Sequence, residues 1–216
     1  MERLELVREL RQVGRFMSEK SLCWGTAGNI SARYIDDEFY VTASGTYLGD
    51  LEIEDLSLCN NEGALEGKKP SKEHVFHNAI YQERPEINAI LHASPFYSTL
   101  IANSSVDLPS NYFVEAMYYL EKIVRIPYHH PGSIDLANTI KDNAKHGNIM
   151  FLENHGIIVY DTSIKEARMA LETLEYTAKM FIESQKSNIA IQGLSNDTVE
   201  DFLKNSGYKP VREWPE

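Results

Sequence analysis

Glu73, His92 and His155 are the side chains in this 216-residue chain whose types and settings suit them to hold a divalent cation. His92 ends the apolar run Ala89-Ile90-Leu91, and His155 sits in Asn154-His155-Gly156 between two apolar runs. Each histidine therefore stands at a strand end, next to small residues, where its ring can act on something outside a sheet. Glu73 follows Pro70-Ser71-Lys72, a helix-start signal. Two imidazoles and a carboxylate are ligands that zinc accepts in catalytic sites. Each residue also has a plainer reading. A glutamate at a helix start complements the helix dipole, and a buried histidine is usually satisfied by one hydrogen bond. His74 and His77 lack a histidine three before the glutamate, so the zinc-protease helix pattern is absent, and His77 reads as structural. His129 and His130 fall in a loop before Pro131-Gly132.

The turns Gly28-Asn29, Ser44-Gly45 and Ser71-Lys72 supply a second kind of chemistry. Each offers backbone N–H groups free of bulky neighbours, beside an amide, hydroxyl or ammonium donor, as a phosphate requires. Taken singly, such a stretch is more often only a turn. The expectation is that Asn29, Ser44 and Ser71 converge on one anion site. Gly25-x-x-Gly28 lacks the dinucleotide-binding glycine pattern, and no Walker sequence occurs.

Elements that would position these groups can be read from periodicity. Leu6, Val7, Leu10, Val13 and Met17 recur at helical spacing over about 2–19. "FYVTASG" reads as a strand running into a turn, and "LSLC" and "ALEG" flank "NNEG" as a hairpin. A helix starts at Pro70-Ser71 and stops before Pro85; the strand "INAILH" and a helix through "YSTLIAN" follow. An irregular stretch reaches "IVRIPY", and a helix covers about 134–144. "NIMFLENHGIIVY" is a strand–turn–strand, and Ala167, Leu171, Leu174, Ala178 and Phe181 mark a long helix. From about 187 the chain turns polar and reads as a flexible C-terminal segment. Interleaved helices and hairpins favour a mixed α/β layer over a doubly wound parallel sheet.

Composition sets the outer bounds. Hydrophobic content of 43% and charged content of 25% describe one globular domain over 1–216. A net charge of −11 argues against nucleic acid or an anionic membrane as partner, while a small anionic substrate stays possible. Cys23 and Cys59 lack metal-ligand spacing and read as buried free thiols. The charged start "MERLELVREL" is unlike a signal peptide, and no apolar run approaches a membrane span, so a cytoplasmic location is expected.

Along nearly its whole length the sequence resembles the class II aldolase/adducin family. The resemblance rests on "GTAGNISAR", "VTASGTYLGDL", "DLSLCNNEGALEGKKPSKE", "HNAIYQERPEINAILHASPFYSTLIA", "IPYHHPGS" and "ENHGIIVY", in that order. It implies a three-layer α/β domain with a central, mostly antiparallel sheet flanked by helices, assembled as a homotetramer with sites at subunit interfaces. It aligns Gly28, Asn29, Ser44, Gly45, Ser71 and Lys72 with the substrate-phosphate cradle. It aligns Glu73 with the acid/base glutamate, which can also ligate the metal, and His92 and His155 with zinc ligands. Tyr208 becomes the candidate for a terminal tyrosine that reaches a neighbour's active site. The sequence departs from the family at Ser94, which takes the place of the second histidine of a His-x-His motif. A hydroxyl is a poorer zinc ligand than imidazole, so weaker metal affinity is expected. The implied function is a zinc-dependent (or other divalent-metal-dependent) lyase, an aldolase cleaving a small phosphorylated sugar by enediolate chemistry. The alternatives are a non-catalytic adducin-like binding or assembly protein, or a family epimerase, dehydratase or decarboxylase.

Overall fold

A computed structural model describes residues 2–215. Its centre is an eight-stranded sheet in the order β4-β3-β2-β1-β5-β8-β7-β6. The strands are β1 (Asn29–Ile35), β2 (Glu38–Thr42), β3 (Leu56–Asn60), β4 (Gly63–Glu66), β5 (Ala89–Ala93), β6 (Ile123–Ile126), β7 (Ile149–Leu152) and β8 (Gly156–Asp161). All neighbours run antiparallel except β6 and β7. The mostly antiparallel α/β expectation holds.

Period-two alternation splits the sheet into two faces. Leu91 and Ala93 of β5, with Ile157 and Val159 of β8, pack on one side. There they meet α1 (Arg3–Glu19), α3 (Phe96–Ala102), α4 (Val114–Tyr119) and α6 (Ile164–Ser187). Ile90, Ile158 and Tyr160 pack on the other side, against α2 (His74–Glu83) and α5 (Ile134–Asn143). Three layers result. His92 shares the parity of Ile90, and Asn29 pairs with His92 across β1–β5, so both face α2. α2 is seated by Phe76 and Ile80, each 0% exposed. Burying side chains of that kind stabilises by about 1.5–3 kcal/mol apiece, which fixes the helix that begins beside the site.

Three differences from the sequence reading have local causes. α2 starts at His74 rather than near Ser71 because Pro70 bridges Ala43 and the Ser71 N–H donates to the Thr42 carbonyl. Those bonds hold Pro70 and Ser71 along the end of β2, Lys72 and Glu73 then turn, and Glu73 becomes the N-cap. α4, at six residues, is too short to show a helical period. In the segment read as a flexible tail, α7 (Asn196–Asn205) is capped by Ser195, whose hydroxyl accepts from the Thr198 N–H. Beyond it Lys209 pairs with Glu166 and Arg212 with Asp161. Cys23 and Cys59 are free and buried, and burial pushes both thiols up to about 11. Among the described residues no helix is long and apolar enough to cross a membrane.

Candidate active site

His92 is the fourth residue of β5, and its Nδ1–H donates to the Ile157 carbonyl at 2.9 Å. That bond leaves the Nε2 lone pair facing Glu73, whose Oε2 lies 3.3 Å away. His155 rides the turn between β7 and β8. Asn154, just before it, is left-handed (φ 53°), and its N–H donates to Asn103 Oδ1 at 2.7 Å, which anchors the turn to the end of α3. His155 Nε2 then lies 3.2 Å from Glu73 Oε1, and the two imidazole centroids are 4.8 Å apart. Backbone crowding permits this approach only with glycine at two points. A Cβ at Gly28 would meet the His92 carbonyl at 2.6 Å, and one at Gly156 the Ala93 carbonyl at 2.6 Å.

Glu73 is 7% exposed. Burial alone would raise its carboxyl, but the His92 and His155 rings and the Asn29 amide outweigh burial and hold it at about 2. It is therefore ionised at neutral pH. Burial lowers His92, against the pull of the adjacent carboxylate, so its ring favours the neutral form that a metal requires.

The donor set fits a divalent cation on three counts. One ligand atom each from Glu73, His92 and His155 lies within 4.8 Å of the others. The atom types are those of catalytic zinc sites. Glu73 Oε1 and His155 Nδ1 are buried without a hydrogen-bond partner; Oε1 is close to His155 Nε2 but not aligned with it as a hydrogen bond.

All of the turn residues expected from sequence line the same cleft, of about 470 Å³, as these three ligands. Gly28, Asn29, Ser44, Gly45, Ser71 and Lys72 thus come together from widely separated positions. One part of the expectation needs correcting. The Ser44 N–H donates to the Lys69 carbonyl and the Ser71 N–H to that of Thr42, because the chain pairs with itself there. Among the described residues the N–H groups of Gly45, Thr46 and Lys72 make no such bond, and Lys72 Nζ pairs with no carboxylate. Those groups and the Ser44 hydroxyl remain for an anion. Ser94 lines the cleft beside His92, its hydroxyl 3.4 Å from the His155 carbonyl. Trp24, Thr46 and Pro131 also line it and carried no chemical signal in the sequence. Tyr208 does not line the cleft; within this chain it packs on Tyr118 and Phe202.

Comparison with known proteins agrees with this geometry. Residues 8–182 match the family model described as Class II Aldolase and Adducin N-terminal domain. The chain is 38% identical over 203 residues to 3-oxo-tetronate 4-phosphate decarboxylase of Haemophilus influenzae, covering 91% of this chain and 94% of that one. It superposes on the crystal structure of YgbL from Klebsiella pneumoniae with a TM-score of 0.85 at 30% identity, covering 94% and 99% of the two chains. It superposes on an L-fuculose 1-phosphate aldolase with a TM-score of 0.82 at 25% identity, covering 96% and 99%. With its sheet order, its clustered Glu73, His92 and His155 and the match over 8–182, this chain belongs to the class II aldolase and adducin family.

Proposed function

We propose that the protein is a divalent-metal-dependent lyase that removes carbon dioxide from a small phosphorylated 3-oxo sugar acid. The observation that carries this reading is the Glu73–His92–His155 cluster in a cleft that is also lined by Lys72, Gly45 and Thr46. The 38% identity to a 3-oxo-tetronate 4-phosphate decarboxylase supports the choice of substrate.

Lys72, the Ser44 hydroxyl and the free turn N–H groups would hold the phosphate, and Glu73, His92 and His155 would hold the ion. When bound, the ion, with zinc as the expected occupant, supplies polarisation of the substrate carbonyl and offsets the charge of the enediolate. Loss of carbon dioxide breaks the bond between the carboxylate carbon and its neighbour. The electron pair moves into the carbonyl to form the enediolate, and a proton is then added at carbon. No base is needed to start this sequence. Retro-aldol cleavage, by contrast, requires a base to take a hydroxyl proton before the carbon–carbon bond breaks. A homotetramer in the cytoplasm, with Tyr208 as the residue a neighbour would receive, completes the reading.

The test offers the zinc-loaded protein 3-oxo-tetronate 4-phosphate and L-fuculose 1-phosphate, following dihydroxyacetone phosphate and carbon dioxide. Preference for the oxo acid on the order of 100-fold in kcat/KM is expected. Faster cleavage of the fuculose phosphate would make the protein an aldolase, and inertness toward both would favour a binding role.

A further inference from the structure

Behind the cleft wall, buried polar side chains join end to end. Tyr81 Oη lies 2.8 Å from Ser31 Oγ, and Ser31 Oγ lies 2.6 Å from His77 Nδ1. His77 Nε2 lies 2.5 Å from Asn29 Oδ1, and Asn29 Nδ2 lies 2.7 Å from Glu73 Oε2. Ser31 and His77 are 0% exposed, Asn29 and Tyr81 4%.

The direction of every bond follows from the last link. An ionised carboxylate only accepts, so Asn29 must turn its NH2 toward Glu73 and its carbonyl oxygen toward His77. That oxygen also only accepts, so the proton of His77 sits on Nε2. Nδ1 is then the acceptor, Ser31 donates to it, and the Ser31 oxygen accepts from Tyr81. The ring is wholly buried and its two nitrogens meet only the Ser31 hydroxyl and the Asn29 amide, with no carboxylate to hold a second proton, so it is neutral. Phe76 stacks on the ring at 4.6 Å and 14°, fixing its plane.

We propose that His77 is a positioning residue of the site: its Nε2–H locks the Asn29 carboxamide with the NH2 toward Glu73, and Ser31, backed by Tyr81, locks the tautomer in which it does so. Without that lock the amide can rotate and present its oxygen to the carboxylate. The Glu73 oxygen that faces His92 then loses the donor that aims it. Asn29 also lines the cleft that the turn donors line. This inference rests on the proposed function only in treating Glu73 as a ligand.

The experiment uses the full chain, freed of metal with a chelator, and zinc alone as the probe. Nitrogen-15 NMR of the wild type is expected to show His77 protonated at Nε2 and bare at Nδ1. Zinc affinity, measured by competition with a chromophoric chelator, is expected to fall about tenfold or more in His77→Leu. His77→Gln, whose amide N–H can replace the Nε2–H, should recover most of that loss. Ser31→Ala changes a single oxygen, keeps the fold and should populate both tautomers with a smaller loss of zinc affinity. It carries the test if His77→Leu does not fold. A wild-type ring protonated at Nδ1, a folded His77→Leu that binds zinc as tightly as wild type, or a Ser31→Ala with tautomer and affinity unchanged would each overturn the proposal. Neither readout involves a sugar, so failure to turn over any substrate leaves this inference standing, and the reverse.

Discussion

At the histidine end of the cleft, Glu73 and His92 are 7% and 2% exposed, and each is aimed by a further buried partner, Asn29 and the Ile157 carbonyl. At the turn end, Ser44, Gly45 and Lys72 are exposed, and Lys72 has no ionic partner among the described residues. The first end takes its ligands from a central strand, a strand–turn–strand and a helix start, elements that fix where each ligand atom lies. The second presents donors from turns that can settle around an anion. A cation with directional ligands demands the former, whereas a diffuse dianion tolerates the latter. Substitutions should therefore act steeply at one end and in graded fashion at the other.

The steepest effect belongs to the ligands. Outer partners of metal ligands already cost about 10–100-fold when removed, so Glu73→Ala or His92→Ala should lower zinc affinity by at least about 100-fold. Elemental analysis after gel filtration should find these variants metal-poor. Wild-type metal content in either would erase the contrast between the two ends. Next comes Ser94→His, which supplies an imidazole beside His92 and should tighten zinc by about 10–100-fold, on the same scale of ligand effects. It sharpens the comparison because it should leave phosphate binding at the turn end unchanged. Unaltered zinc affinity would mean that position 94 does not face the ion.

At the turn end, Lys72→Ala should raise KM for the phosphorylated substrate with kcat nearly kept. A hydrogen bond to a charged group is worth about 1.5–3 kcal/mol, or roughly 10–100-fold in KM. The loss should shrink as salt rises. Equal losses in kcat and kcat/KM would instead place Lys72 in the chemistry.

How much of this was legible depended on sequence separation. Strands β5, β7 and β8 and helices α1 and α6 announce themselves through their own apolar periods, and His92 and His155 stand out because each ends such a run. The turn residues stand out because glycine, serine and asparagine are conspicuous between apolar stretches. Sequence could not reveal that Ser44 and Ser71 have engaged N–H groups, since this follows from pairing across residues 43 and 70. The role of His77 was hidden for the same reason: its partner Asn29 lies 48 positions away, and the two meet only when β1 pairs with β5 under α2. α4 and α7 escaped because one is short and the other has no fully buried residue to mark its face.

The mildest effect concerns acid, and it separates the buried end from the exposed one by stability alone. Burial takes His77 from an ordinary 6.5 down to about 3, so the folded protein keeps the ring neutral while the unfolded chain protonates it. Between those values the unfolded state binds more protons, and stability falls as pH falls. The contribution is fully present above about 6.5 and declines below it. At pH 5.5, one unit below the unfolded value, the loss from His77 is on the order of 1 kcal/mol. His92, also lowered by burial, adds in the same direction, and Glu73 joins only below its ordinary 4.5. Substitution of Lys72 or another turn-end donor should leave the slope untouched. Urea unfolding of the chelator-treated protein at pH 7.5 and 5.5 isolates the term. Wild type should lose on the order of 1 kcal/mol more than His77→Gln, which carries the donor but cannot take the proton. Parallel losses in the two proteins would mean that His77 is not held neutral by the fold.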